Sequence, residues 1–271
     1  MSLSTNKNIT VLVILYNTPL NKIINLKQYK NFRLIILEQG SPNNSKKNIQ
    51  KVLDFKFKYY YSKKNLGLSK GINFLIKKIK TKYCLITEPD ILIKEKSIIN
   101  LQKVLIMKKN FLLVGPKYNK NIIKKKYKIT KKIDLSCVFF ETKKINKFNF
   151  YDEDFFFFWT DEDLVRRINI SSFQMVIAKN SAAKHFMSSS SHTKMNIDFV
   201  RDRSFKYGEL VFDYKYKSLR FLKVIRQFIQ CFFKTCFYCL IFDRKNVLRN
   251  SGYLLGIFDF SIFFLKKKIL S

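Results

Sequence analysis

The stretch ITVLVILYN at residues 9–17 decides how the rest of the chain is read. From Ile9 to Tyr16 it is an apolar run rich in β-branched residues, closed by Asn17, Thr18 and Pro19. A strand that is apolar on both faces has to be covered on both faces, which is the pattern of a buried parallel strand. Working outward, a helical pattern runs to about Tyr29, and a second apolar run, FRLIILE, ends at Glu38 before Gln39, Gly40, Ser41 and Pro42. A third strand near Phe55 to Tyr61 leads through Asn65, Leu66 and Gly67 into a helix carrying Ile72, Leu75, Ile76 and Ile79. A fourth, YCLIT, ends at Glu88, Pro89 and Asp90. This alternation predicts an α/β fold with a parallel sheet wound by right-handed crossovers. Ligands of such sheets bind beyond the carboxyl ends of the strands, and Asn17, Glu38, Asn65 and Asp90 all fall there.

The 271 residues suffice for one large α/β domain with an appendage. Lys and Arg number 53 against 19 acids, a formal net charge of +34, so the surface must attract anions. The excess is nearly all lysine, whereas arginine, the reader of bases and bidentate clamp of phosphates, is scarce. This argues against nucleic acid as a partner and leaves nucleotide donors and anionic membranes. The five cysteines are scattered without a paired framework, and no signal peptide precedes the run at Ile9, so a reducing cytoplasm is expected.

Farther on, the lysine-rich stretch from Lys117 to Lys132 reads as a solvated hairpin or loop, followed by a strand, DLSCVFFE. The catalytic portion is expected to span residues 1–205, with 206–271 as a basic amphipathic tail. From Arg220 to Lys234 polar residues recur every three or four positions among Phe221, Leu222, Val224, Ile225, Phe228, Ile229, Phe232 and Phe233. That is an amphipathic helix with a wide apolar face, suited to an anionic membrane surface; a core-packing helix pair is the alternative. Neither CFYCLIF nor YLLGIFDFSIFFL reaches the roughly 20 apolar residues a spanning helix needs.

ITVLVILYN, FRLIILEQGSPNN, NLGLSKGIN, CLITEPDILI, FFFFWTDEDLVRRI and AAKHFMSSSS, in this order, resemble the motifs of family 2 glycosyltransferases, particularly the rhamnosyltransferase-like branch. The resemblance covers about the first 190 residues. It implies a GT-A fold: a Rossmann-like nucleotide-binding sheet with a small acceptor-binding part, here followed by the helical appendage. The activity implied is inverting, metal-dependent transfer of a sugar from a nucleotide-sugar donor, a dTDP- or UDP-sugar, to a saccharide or lipid-linked acceptor in surface polysaccharide synthesis. The tail would place the enzyme at the inner face of the membrane. A non-catalytic, membrane-peripheral nucleotide- or polyanion-binding protein of the same fold is the alternative, because fold alone does not fix function.

The resemblance also assigns residues. Tyr16 and Asn17 match the loop around the base and ribose; Glu38 stands where the family usually has an aspartate to the base. Asn65, Gly67, Gly71 and Asn73 match the stretch beneath the donor, and Lys70 can reinforce the free N–H groups that a helix start offers a diphosphate. Glu88, Pro89 and Asp90 stand at the family's metal-binding acidic motif, and His185 matches the histidine completing coordination of Mg²⁺ or Mn²⁺. Asp161 takes the place of the catalytic base and Asp163 keeps a downstream carboxylate, with Thr160 where the family commonly has glutamate. Acids at a helix start are also favoured by capping and the macrodipole. The aromatics Phe155 to Trp159 before them form an apolar wall able to exclude water and support a sugar ring. His192 reads as a surface residue.

Overall fold

In a computed structural model of the chain, the residues described are 6–40, 46–118, 125–186 and 195–270. The strands are β1 (Ile9–Leu15), β2 (Arg33–Gln39), β3 (Lys58–Ser62), β4 (Tyr83–Thr87), β5 (Ile91–Ile93), β6 (Phe111–Lys117), β7 (Tyr127–Thr130), β8 (Cys137–Glu141) and β9 (Gln174–His185). The helices are α1 (Leu20–Ile23), α2 (Lys46–Val52), α3 (Gly67–Ile76), α4 (Glu95–Leu105), α5 (Thr142–Phe148), α6 (Thr160–Asn169), α7 (Met195–Lys215), α8 (Phe221–Leu240) and α9 (Arg244–Leu270). They form two compact units: Met1–Tyr151 with Leu164–His192, and Asp152–Asp163 with Thr193–Ser271. The 205/206 boundary read from the sequence lies within α7.

The first unit is built on one sheet in the order β3-β2-β1-β4-β8-β6-β9-β5, with β7 on β9. The first four strands are parallel, as the alternating pattern requires. Beyond β4 the sheet is mixed: β8 runs antiparallel to β4, and β6 runs antiparallel to β8 but parallel to β9. A parallel pair needs a long crossover, usually helical. Between β6 and β8 no helix occurs among the described residues, and an antiparallel neighbour results. Within the lysine-rich stretch, read as a hairpin or loop, Tyr127–Thr130 form a short strand that pairs antiparallel with Ala178–Met175 of β9. Lys128 and Ile129 are exposed there; a charged residue on a short strand guards its free edge. Residues 119–124 of that stretch lie outside the described residues.

The alternation along each strand divides the core into two layers. Val11, Val13, Leu34 and Ile36 pack with Leu26, Tyr29, Ile98 and Leu101 on one face. Leu12, Ile35 and Leu37 pack with Ile72, Leu75, Leu164 and Ile168 on the other. Each fully buried aliphatic side chain contributes roughly 1.5–3 kcal/mol, which is why β1, with six of its seven residues buried, anchors the sheet. The helical pattern after β1 becomes only the four residues of α1, then a 3-10 segment from Ile24 to Tyr29 that keeps Leu26 and Tyr29 buried.

In the second unit Phe155, Leu210, Val211, Ile257 and Phe260 form a separate core. A Cβ on Gly256 would lie 2.5 Å from the Arg203 carbonyl oxygen, and one on Gly252 3.0 Å from that of Phe199, so α9 passes close against α7 at these two turns. The amphipathic helix expected from Arg220 is α8, and Cys231 is its one buried residue. No helix among the described residues is long and apolar enough to cross a membrane.

Candidate functional site

The carboxyl ends of the parallel strands are drawn together by backbone turns. After β1, Asn17 takes a left-handed φ of 48°, a conformation asparagine tolerates, and the Tyr16 N–H donates to Thr18 Oγ1 at 3.3 Å. After β2, Gly40 also has a left-handed φ of 61°, and a Cβ there would lie 3.0 Å from the Asn65 nitrogen and 3.2 Å from the Tyr16 ring. Gly40 is therefore needed both for its conformation and for the approach of Tyr16 and Asn65 to one point.

Asn65 Oδ1 accepts from the Gly67 N–H at 2.9 Å, and Gly67, at φ 77°, opens α3 with no acidic residue in its first turn. Buried Gln39 ties the strand end to this helix start: its amide donates to the Gly67 carbonyl and accepts from the Leu66 N–H, both at 3.2 Å. Lys70 is exposed in the first turn. Glu38 is buried and accepts the Tyr59 hydroxyl. Asn73 forms two hydrogen bonds with the Tyr151 backbone, at 2.8 and 3.2 Å.

Beside β1 lies β4, and its end carries the acidic turn. Asn25 donates to the Pro89 carbonyl at 2.9 Å, and the Gln28 amide spans Ile91 O and Ile93 N at 2.8 Å each, fixing the turn and the short strand after it. β5 pairs antiparallel with β9 so that Ile91 faces His185, and the Phe186 N–H donates to the Asp90 carbonyl at 3.0 Å. The His185 Nε2 then lies 3.6 Å from Glu88 Oε2 and 3.7 Å from Asp90 Oδ1. One ligand atom from each of the three residues lies within 4.8 Å of the others. Asp90 is 1% exposed.

On the other side of the ring, Nδ1 is 3.7 Å from Asp134 Oδ2 and 3.4 Å from Ser136 Oγ. The acids raise the imidazole above its ordinary pKa, the hydrogen bond with Glu88 foremost, against desolvation. Glu88 is also raised, by desolvation first and then by the charges of Asp90 and Asp134, with His185 opposing. Two carboxylates and an imidazole facing one point suit a divalent cation that favours oxygen donors, and a buried carboxylate such as Asp90 calls for positive charge. The residues thus fit Mg²⁺ or Mn²⁺. Asp134 and Ser136 were read only as the start of the strand DLSCVFFE, with no direction assigned to it, and so escaped the sequence reading of the site. In an antiparallel β8, paired Cys137 to Thr87, the amino end falls where β4 ends.

Asp161 and Asp163 belong to the other unit. Both lie in the first turn of α6, but their surroundings differ. Asp161 is partly exposed and receives the Thr160 hydroxyl at 3.4 Å. Asp163 is fully buried, held by Lys215 Nζ at 2.6 Å and the Tyr216 hydroxyl at 2.9 Å; Lys215 also binds Asp152 at 2.5 Å. Of the aromatic wall, Phe155 enters the core, Phe157 is exposed, and Trp159 packs on Phe205 and Phe212 at centroid distances of 5.8 and 5.1 Å. Trp159 has a left-handed φ of 69°, costly for a bulky residue, and Gly208 makes room for it: a Cβ there would lie 2.9 Å from the indole. Ser188, Ser189 and His192 lie outside the described residues.

No curated protein matches the chain. Among solved structures, the mannosyltransferase PcManGT from Pyrobaculum calidifontis, in complex with GDP-Man and Mn²⁺, aligns at a TM-score of 0.56 and 11% identity over 78% of this chain. The alignment spans 66% of that protein's length. S. aureus TarS aligns at a TM-score of 0.45 and 11% identity, over 72% of this chain and 39% of its own, too loosely to support an inference. The first likeness establishes a shared fold, the GT-A type. The family model described as Glycosyl transferase family 2 matches residues 10–169, which include β1 from its second residue, the acidic turn at Glu88–Asp90 and all of α6. Since that match takes in more than half of the chain, the protein belongs to glycosyl transferase family 2.

Proposed function

We propose that the chain transfers a sugar from a nucleoside diphosphate to an acceptor hydroxyl with inversion, in a metal-dependent reaction. The observation that carries this reading is the convergence of Glu88, Asp90 and His185 at the end of β4. A divalent cation bound there would offset the charge developing on the departing diphosphate. Glu88 and Asp90 would supply its oxygen ligands and His185 a nitrogen, with Asp134 steadying the ring from behind.

The donor's base and ribose would rest against Tyr16, Asn17 and Glu38, and its diphosphate near Asn65, Gly67 and Lys70. Support comes from the N-terminus of α3, which has no acid in its first turn and carries Lys70 there. Asn73, held to Tyr151, would keep the floor of the donor site in place. Asp161 would take the proton from the acceptor hydroxyl as its oxygen forms the bond to the anomeric carbon and the diphosphate leaves with the bonding pair. Asp163, clamped by Lys215 and Tyr216, would position the segment carrying Asp161.

A dTDP- or UDP-sugar is the proposed donor, and a saccharide or lipid-linked saccharide of a surface polymer the acceptor. We place the enzyme peripherally at the anionic inner face of the membrane. Supporting this, α8 exposes Phe221, Leu222, Ile225, Phe228, Phe232 and Phe233 among Lys223, Arg226 and Lys234. The test is equilibrium binding of UDP and dTDP: affinity should appear with Mn²⁺ and fall away in EDTA, whereas equal binding in both would remove the metal from the reading.

A further inference from the structure

In the second unit, Ile241, Phe242 and Asp243 join α8 to α9, and they close on α8 with both hydrogen bonds of a Schellman turn. The Phe242 N–H donates to the Cys239 carbonyl at 3.2 Å, and the Asp243 N–H donates to the Tyr238 carbonyl at 2.9 Å. Such a turn needs one residue in the left-handed conformation, ordinarily glycine, because a Cβ is disfavoured there. Here that residue is Phe242, at φ 55°. The motif's usual apolar contact cannot form, since Asp243 stands at one of its two positions. Phe242 is nonetheless 92% exposed, with Leu240 at 78% and Ile241 at 53% beside it.

The charges around this turn are one-sided. Arg244 and Lys245, the first two residues of α9, are exposed. The acid between them and Phe242 is engaged: Asp243 accepts the Asn246 N–H on one carboxylate oxygen at 3.1 Å and the Asn246 side-chain amide on the other at 2.7 Å. These features select the occupant. Three adjacent apolar side chains at a turn between helices make a convex point, and a protein partner meets a point over too little area, since a stable interface buries about 800 Å² on each side. Hydrocarbon closes around a point from every direction, and the two cations behind it match lipid phosphates. From Thr235 to Phe242 no residue is charged. Arg244 and Lys245 then limit entry to the boundary of headgroups and acyl chains, about 5–10 Å deep.

We propose that the turn between α8 and α9 is a wedge that enters an anionic bilayer, with Phe242 deepest, Leu240 and Ile241 beside it, and Arg244 and Lys245 at the level of the lipid phosphates. The wedge deepens the peripheral placement of the enzyme and rests on it. The strain at Phe242 is then offset by burial that only the bilayer supplies.

The test is binding of the full chain to vesicles of phosphatidylglycerol and, separately, of phosphatidylcholine. Phe242→Gly should weaken binding to the anionic vesicles by about tenfold or more, as one phenylalanine side chain leaves hydrocarbon. Its melting temperature should stay the same or rise, because glycine suits the left-handed turn, an outcome that a packing role for Phe242 would reverse. Arg244→Gln with Lys245→Gln should weaken binding to anionic vesicles by roughly tenfold or more and leave binding to neutral ones unchanged. In Phe242→Trp, made in a chain with a single native tryptophan, the added indole should be quenched by lipids brominated near the glycerol end of the acyl chain, with the unsubstituted chain as background. Undiminished binding of Phe242→Gly, or an unquenched indole, would overturn the wedge. Loss of binding on replacing Phe228 and Phe232 but not Phe242 would overturn it and leave the membrane placement standing, whereas an unsubstituted chain that binds neither kind of vesicle would overturn the placement and the wedge with it. Self-association of the chain that disappears in Phe242→Gly without any change in vesicle binding would make the tip a contact between copies and overturn the bilayer as its occupant.

Discussion

Ile91 and His185 face each other across the antiparallel pair of β5 and β9, and this register brings the imidazole to 3.7 Å from Asp90, a residue far away in sequence. The pairing joins the end of β4 to the end of β9. It also turns Nδ1 toward Asp134, so that Nε2 faces the two acids.

Metal affinity should depend on both sides of that ring. Asp90→Ala is expected to abolish Mn²⁺ binding, measured by the paramagnetic resonance signal of free Mn²⁺. Asp134→Ala should weaken it roughly 10- to 100-fold, because a partner behind a ligating histidine fixes its orientation and basicity. Unchanged affinity in Asp134→Ala would show that the imidazole needs no second partner.

Asp161 and Asp163 should separate in kind. Asp161→Asn keeps the size and an accepting oxygen but cannot take a proton, so turnover should fall roughly 10²- to 10⁴-fold with donor affinity nearly unchanged. Glu162 is exposed in the first turn of α6, so Glu162→Gln should be mild. Full activity in Asp161→Asn together with a dead Glu162→Gln would move the base by one position.

The Lys215 clamp is expected to act on stability. In Lys215→Met the fully buried Asp163 loses its ammonium partner and Asp152 loses the same one. Breaking a buried pair costs 3–5 kcal/mol, but Lys215 is 30% exposed, so about 2 kcal/mol is expected in urea unfolding. A change below about 0.5 kcal/mol, the range of ordinary surface substitutions, would contradict the clamp.

Membrane adsorption should reside in the exposed face of α8. Phe228 and Phe232, one turn apart and 45% and 51% exposed, are candidates for insertion. Replacing both with Glu should reduce co-sedimentation with phosphatidylglycerol vesicles at least roughly tenfold, from lost apolar burial alone, at an unchanged melting temperature. Equal sedimentation would detach α8 from the membrane.

The parallel half of the fold was legible because each strand there is doubly buried and followed by a helical period. The same logic fails past Asp90. β5 has three residues, too few to show a period, and β8 reverses direction with no helix between β6 and β8 among the described residues to announce it. The cluster of Glu88, Asp90 and His185 was legible in part: Glu88 and Asp90 close an apolar run, and a chain with two histidines makes His185 conspicuous. Asp134 and Ser136 carry no local signal, since their place depends on the direction of β8. Gln39 and Gly40 were visible as a turn, but their bridging of two strand ends follows from the β2–β3 register, which composition does not encode.

The most direct measurement is release of nucleoside diphosphate from a panel of UDP-, dTDP- and GDP-sugars by the full chain, with Mn²⁺ or Mg²⁺ and then in EDTA. Metal-dependent release from at least one donor, lost in both Asp90→Ala and His185→Ala, is the expected result. Release that persists in EDTA, or that survives in Asp90→Ala, would contradict the account.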